Sequence, residues 1–233
     1  MSRPGFTTGY HPGPMQKHLR SDLAATLISL ALLLVWDFSG LDLFFVRMVG
    51  DASGFAWREV WFTRDMFHQG GRMLAGVVIV LLVINIWKPL LKGPTRAERV
   101  YAVVAAVVCM CLIPVFKRMS HTSCPYDLAE FGGVASYVSH WSFGVLDGGP
   151  GHCFPSGHAS AGFGFLSLYF ALRSSRPEWA RVALAIVLLI GASYGWAQMA
   201  RGAHFPSHTM WTAWVCWVVC ALGAHLTLRK RNA

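Results

Sequence analysis

Gly151-His152-Cys153-Phe154-Pro155-Ser156-Gly157-His158-Ala159-Ser160 stands at the mouth of a long apolar stretch, and Arg201-Gly202-Ala203-His204-Phe205-Pro206-Ser207-His208 stands at the mouth of another. In the first, Pro155-Ser156-Gly157 leads into a helix-forming run. A helix start presents unpaired backbone N–H groups and the positive end of the aligned peptide dipoles. Gly157 lets an anion approach the backbone closely, Ser156 adds a hydroxyl donor, and His158 adds an imidazole. Two such histidine segments at the ends of apolar runs point to nucleophilic phosphoryl chemistry at a bilayer surface.

The composition agrees with a membrane setting. Of the 233 residues, 55% are hydrophobic and 13% charged, against about 25% charged in a soluble domain. Ten Trp and fifteen Phe suit interfacial aromatic belts. The length allows one domain, 1–233, with a loose cytoplasmic tail over 1–18 that carries Pro4, Pro12 and Pro14. A net charge of +9 raises the question of nucleic acid. The basic residues flank apolar segments rather than cluster on one polar face, so no nucleic-acid partner is expected.

Six segments are candidate membrane helices: 20–38, 72–91, 99–116, 156–173, 179–198 and 208–228. Each approaches the ~20 residues that cross a hydrocarbon core. The fourth is rich in small residues, as in Ala159-Ser160-Ala161-Gly162, and is expected to pack closely on its neighbours. The first ends in Trp36-Asp37-Phe38 rather than a small-residue cleavage site, so it reads as a helix and not a signal peptide. With both termini inside, 13 of the 20 basic residues fall on the inner side, and only Asp22, Glu98 and Glu178 of the 11 acids do. The positive-inside bias therefore puts both histidine segments on the outer face. The expected architecture is all-α: a polytopic membrane protein of six transmembrane helices with an extracytoplasmic active site. The expected location is a bacterial-type inner membrane, with the site facing the periplasm. Two outer loops stand out. Residues 39–71 include the amphipathic stretch 55–62, expected in the interface, and residues 117–155 form a loop long enough to be functional.

Taken singly, the polar residues have bland readings. Ser156 is an ordinary N-cap, His158 a satisfied histidine, His204 and His208 an interfacial pair, and Lys117 a snorkelling cation at the end of the third helix. Their convergence on one face of a bundle makes a functional site the stronger reading.

These residues carry a resemblance. The chain resembles the type 2 phosphatidic acid phosphatase and haloperoxidase superfamily of membrane lipid phosphatases. That family has a first motif of Lys, six residues, then Arg-Pro; a second, Pro-Ser-Gly-His; and a third, Ser-Arg, five residues, His, three residues, Asp. The second stands intact as Pro155-Ser156-Gly157-His158. In the first, Lys117 is present and Cys124-Pro125 replaces Arg-Pro. In the third, His204 aligns with the nucleophile, Gln198 stands where the Arg would be, Arg201 lies one helical turn further on, and His208 takes the place of the Asp.

The resemblance implies in-line displacement on a lipid phosphomonoester or diphosphate through a phosphohistidine. His204 would be the nucleophile and His158 the acid and base, while Lys117, Ser156, Gly157 and Arg201 would hold the phosphate oxygens. The substrates it implies are a polyprenyl diphosphate, phosphatidylglycerol phosphate, phosphatidate or lipid A. Gln198 and His208 would support the site. His204 could be oriented by His208 or by a loop carboxylate: Asp127, Glu130 or Asp147. A lipid-to-lipid phosphotransferase would use the same residues. A non-catalytic protein that binds anionic lipids is the remaining class. The expected partners are the lipid phosphate and the bilayer.

No cofactor and no metal are expected. His204 and His208 have i, i+4 spacing, but Pro206 lies between them and no His-Glu-x-x-His pattern occurs. Cys109, Cys111, Cys216 and Cys220 fall in membrane segments, where cysteine behaves as a small hydrophobe. Cys124 and Cys153 both fall in the outer loop, so a bond between them is expected if that face is periplasmic; the alternative is two unpaired thiols.

Overall fold

The structure is a computed structural model that describes residues 14–90 and 92–228. Among these residues every regular element is helical, and pairing of extended backbone is limited to the isolated bridges Asp51–Gly54 and Leu128–Ala135. The long helices are α1 (Pro14–Asp37), α3 (Gly71–Trp87), α4 (Arg96–Met119), α7 (Pro177–Ala200) and α8 (Pro206–Thr227). The short ones are α2 (Leu41–Arg47), α5 (Ser160–Phe163) and α6 (Ser167–Leu172). Five stretches are long and apolar enough to cross a membrane: His18–Asp37, Phe62–Trp87, Arg96–Met119, Pro177–Ala200 and Pro206–Thr227.

Local chemistry sets several of the boundaries. Thr95 and Glu98 form a reciprocal capping box at the start of α4. Pro177 and Pro206 occupy first-turn positions of α7 and α8, where a missing N–H costs nothing. α4 runs through the centre and packs against α3, α6 and α8; α7 covers α5 and α6, and α1 lies against α8. The core between them is built from Ala102, Ala106, Cys109, Ile113, Phe163 and Phe170, with Cys216 and Cys220 behind. Outward-facing Leu23, Leu27, Leu32, Val77, Val80 and Ile84 are exposed on α1 and α3, the pattern of a lipid-facing surface.

Several expected spans change. The first helix begins at Pro14, so 14–18 belong to it and not to a tail; residues 1–13 lie outside the described residues, as do the side chain of Lys17 and residues 229–231 of the inner charge count. The second span starts earlier than expected. A π-helical lead-in over Phe62–Gly70 runs into α3, which stops at Trp87 rather than at 91. Of the 55–62 stretch, Phe55 is buried against Phe131, 5.1 Å between ring centroids, while Trp57, Val60 and Trp61 are exposed.

The fourth span differs most. It is α5 and α6 joined by the 3-10 turn Gly164–Leu166. At ~1.5 Å per residue, Ser160–Leu172 falls short of a ~30 Å hydrocarbon core. Residue 156 lies before this helix and is tied to α8 instead: its N–H donates to the His208 carbonyl and its own carbonyl accepts from Thr212 Oγ1. Close packing is the rule here: a Cβ on Gly162 would sit 2.8 Å from the Gly191 Cα of α7.

A second apolar cluster, Val46, Phe55, Leu128, Phe131, Ala135 and Phe205, joins the loops 39–71 and 117–155 into a cap over one end of the bundle. Arg47 to Glu130, 2.5 Å at the closer contact, and Tyr126 N–H to the Gly202 carbonyl, 2.9 Å, fasten it.

Candidate active site

Three segments meet beneath that cap: the last turn of α4, residues 152–158, and the start of α8. Hydrogen bonds stitch them together. His152 N–H donates to the Ser120 carbonyl and Cys153 N–H to the Thr122 carbonyl, each at 2.9 Å. The Ser156 N–H reaches the His208 carbonyl at 3.1 Å. Cys124 and Cys153 are joined by a disulfide with Cα atoms 5.2 Å apart. These ties hold Lys117, the Pro155–His158 run and His204 in one place.

Within it, the rings of His158 and His204 lie 6.3 Å apart between centroids, tilted by 54°. A Cβ on Gly157 would touch the Lys117 Cδ at 3.8 Å, so the lysine stem lies across the glycine. His204 is only 1% exposed. Burial holds its pKa well below the usual histidine range, reinforced by His208, Lys117 and His158; a hydrogen bond to the Cys153 backbone works the other way. His204 is therefore a neutral imidazole at neutral pH, with a lone pair to offer. Its Nδ1 lies 3.5 Å from Nδ1 of His208, which is also buried. The Ser156 hydroxyl is buried with no hydrogen-bond partner among the described residues. Gln198 is buried in the last turn of α7.

Arg201 is turned elsewhere. Its Nε donates to the Arg58 carbonyl at 3.0 Å, and its ionisable neighbours are Glu59, Arg58, Arg64 and the Tyr126 phenol. It is not among the groups that shift His204. The three loop carboxylates are also engaged away from His204. Asp127 accepts from the Cys124 N–H, Glu130 pairs with Arg47, and Asp147 accepts from the backbone and hydroxyl of Ser123.

Two acids outside the family's motif positions support the site. Asp42, buried on α2, accepts from the Ser207 N–H at 2.9 Å, from the Ser207 hydroxyl, and from Trp36 Nε1 at 2.8 Å. It thereby caps the start of α8 next to His208, and burial pushes its carboxyl above the usual range. Asp37 takes hydrogen bonds from His140, Trp141 and Trp211. His140 in turn stacks on Phe154, 4.3 Å between centroids, and stands edge-on to His208 at 6.2 Å. The signal for both was present: an acid inside an otherwise apolar run, in Trp36-Asp37-Phe38 and Leu41-Asp42-Leu43.

Cys153, His204 and His208 bring potential ligand atoms within 4.8 Å of one another. A metal-binding cysteine is a thiolate, and the Cys153 sulfur is already bonded to Cys124. Two imidazoles alone make a poor zinc set.

Five helices long and apolar enough to cross a membrane, with Lys117, His158 and His204 gathered at one end, fit a membrane protein. The sequence model of the PAP2 superfamily matches residues 98–232, more than half of the chain, and the chain belongs to that superfamily, which generally comprises phosphatases. The match covers α4 to α8, the helices that carry the three segments. No curated protein and no solved structure matches the chain.

Proposed function

We propose that the chain is an integral membrane lipid phosphatase that hydrolyses a lipid phosphomonoester or diphosphate through a phosphohistidine, without a metal. The observation that carries this reading is the convergence of neutral, buried His204, of His158, and of Lys117 laid over Gly157. In the first step the Nε2 lone pair of His204 attacks phosphorus. The bond from phosphorus to the lipid oxygen breaks, and His158 gives that oxygen a proton. In the second, His158 takes a proton from water, the water oxygen attacks phosphorus, and the P–N bond breaks to release phosphate. Lys117, the Ser156 hydroxyl and the Gly157 N–H meet the equatorial oxygens, where charge gathers. An Nε2 nucleophile needs its proton on Nδ1, so Nδ1–H of His204 donates towards Nδ1 of His208. His208, and not a loop carboxylate, then orients the nucleophile.

On this reading the short fourth segment completes a six-span bundle in the inner (plasma) membrane. Both termini are cytoplasmic, and the site faces the periplasm. Phosphate release by the purified chain from a panel of lipid phosphates, with and without EDTA, tests the reading. Turnover that survives the chelator and is lost in His204→Ala is expected. Transfer of the phosphoryl group to a second lipid would replace hydrolysis by phosphotransfer. An unchanged lipid pool would leave a lipid-binding protein, and loss on chelation with rescue by zinc or magnesium would remove the metal-free route.

A further inference from the structure

A cavity of about 520 Å3 lies between α3 and α4 and ends at Gly157 and His158. Its walls are apolar, from Ala75, Ile79, Val107, Met110 and Pro114, and its one charged lining residue is Arg72. Arg72, Ala75, Gly76 and Ile79 follow at i, i+3, i+4 and i+7, one stripe along α3. The helix is held in that rotation by its neighbour. A Cβ on Gly71 would stand 2.8 Å from Tyr194 Cζ, so the start of α3 is pressed onto α7. Arg72, exposed on α3, thereby lines the same cavity as His158.

A phosphoryl group needs cations at its equatorial oxygens, and among the residues already assigned Lys117 is the only one. Positions 124 and 198, where the family's arginines would stand, hold Cys and Gln, and Arg201 is held by the outer loop. The other outer arginines do not meet the need. Arg47 and Arg64 are paired with carboxylates, Arg58 lies over Tyr126, and Arg118 does not line this cavity. Arg72 makes no ion pair among the described residues. We propose that Arg72 is a phosphate-binding residue of this site, supplying from α3 the guanidinium that positions 124 and 198 lack. The assignment rests on the phosphatase reading for its role in turnover, but the phosphate contact itself does not require turnover.

The test uses the purified full chain in detergent. Inorganic phosphate binding is measured by calorimetry for wild type, Arg72→Ala and Arg72→Lys, and kcat/KM is measured on a long-chain lipid phosphate and on water-soluble phenyl phosphate. Arg72→Ala is expected to weaken phosphate binding by roughly 10- to 100-fold, the range for a hydrogen bond to a charged group, and to lower kcat/KM on both substrates. Arg72→Lys should recover part of the loss, since it keeps charge without the planar fork. Unchanged phosphate affinity, or a loss confined to the long-chain substrate, overturns the proposal, because Arg72 would then act on the lipid chain or the bilayer. Arg72-dependent phosphate binding without any turnover would sink the phosphatase reading and leave Arg72 assigned. No phosphate binding by wild type overturns the Arg72 assignment whatever the turnover. If Arg72→Ala does not fold, Arg72→Gln is read in its place.

Discussion

His204 and His208 face each other through their Nδ1 atoms at 3.5 Å, within reach of a hydrogen bond in which one nitrogen carries the proton and the other a lone pair. A nucleophilic Nε2 on His204 requires the proton on its own Nδ1, which casts His208 as the acceptor. This is the role a carboxylate plays at the same place in the family's third motif.

His208→Ala should therefore lower kcat by up to about 10⁴-fold, the effect of removing the acceptor that fixes a catalytic histidine's tautomer. His208→Asp should retain more activity than His208→Ala, because a carboxylate can accept the same proton. Steady-state rates of the two variants on one substrate decide it, and equal losses would contradict the acceptor role.

The depressed pKa of His204 makes a second prediction. The nucleophile stays neutral below the ordinary histidine value near ~6.5, so loss of the nucleophile on the acid side of the kcat/KM profile should begin well below that value. A limb that belongs to the substrate moves when the substrate is changed; the His204 limb does not. The stability effect has the same sign. The unfolded chain takes up the proton first, so stability is full above ~6.5 and falls as pH drops towards the folded value. A substrate-independent acid-side limb at or above ~6.5 would contradict the burial of His204.

Asp42 is the third case. It accepts from Trp36 Nε1 and from both polar groups of Ser207. Asp42→Ala leaves those donors buried without an acceptor, at about 1–3 kcal/mol for each one orphaned. Thermal unfolding in detergent should show a clear drop in Tm, with Asp42→Asn milder because it keeps one carbonyl oxygen. A Tm equal to wild type would mean that Asp42 does not hold the start of α8.

Which of these features could be read from the sequence follows from how local they are. The intact Pro155–His158 run and the long apolar helices α4, α7 and α8 are legible because spacing along the chain is all they need. The break at 156–159 is not, because it is made by hydrogen bonds to His208 and Thr212, some fifty residues away in sequence. Arg72 reads as one more basic residue at the end of a span until the contact of Gly71 with Tyr194 fixes the rotation of α3. Arg201 was the natural substitute for a missing guanidinium by its nearness to Gln198. It stands at the very end of α7, where the chain turns at Gly202 with φ 70° and the Arg201 side chain meets the Arg58 carbonyl.

The disulfide gives a fourth prediction. It closes a sequence separation of 29 residues, worth about 3–4 kcal/mol in the chain-entropy account, and it places Cys153 against His204, 3.5 Å from sulfur to Nδ1. Cys124→Ser should lower both Tm and turnover. Mass spectrometry of non-reduced digests checks the bond itself, and two thiols alkylated without reductant would contradict it.

The central claim is that His204 takes the phosphoryl group, and trapping that group tests it most directly. Wild-type protein is mixed with phosphorus-labelled lipid phosphate, quenched in alkali and digested, and the peptide containing Arg201–His208 is sequenced by mass spectrometry. The account predicts an acid-labile, alkali-stable phosphoryl group on His204, whose hydrolysis is slowed in His158→Ala, where the base of the second step is missing. Turnover with the label on another residue, or with none on His204 while His158→Ala releases product at the wild-type rate, would contradict it.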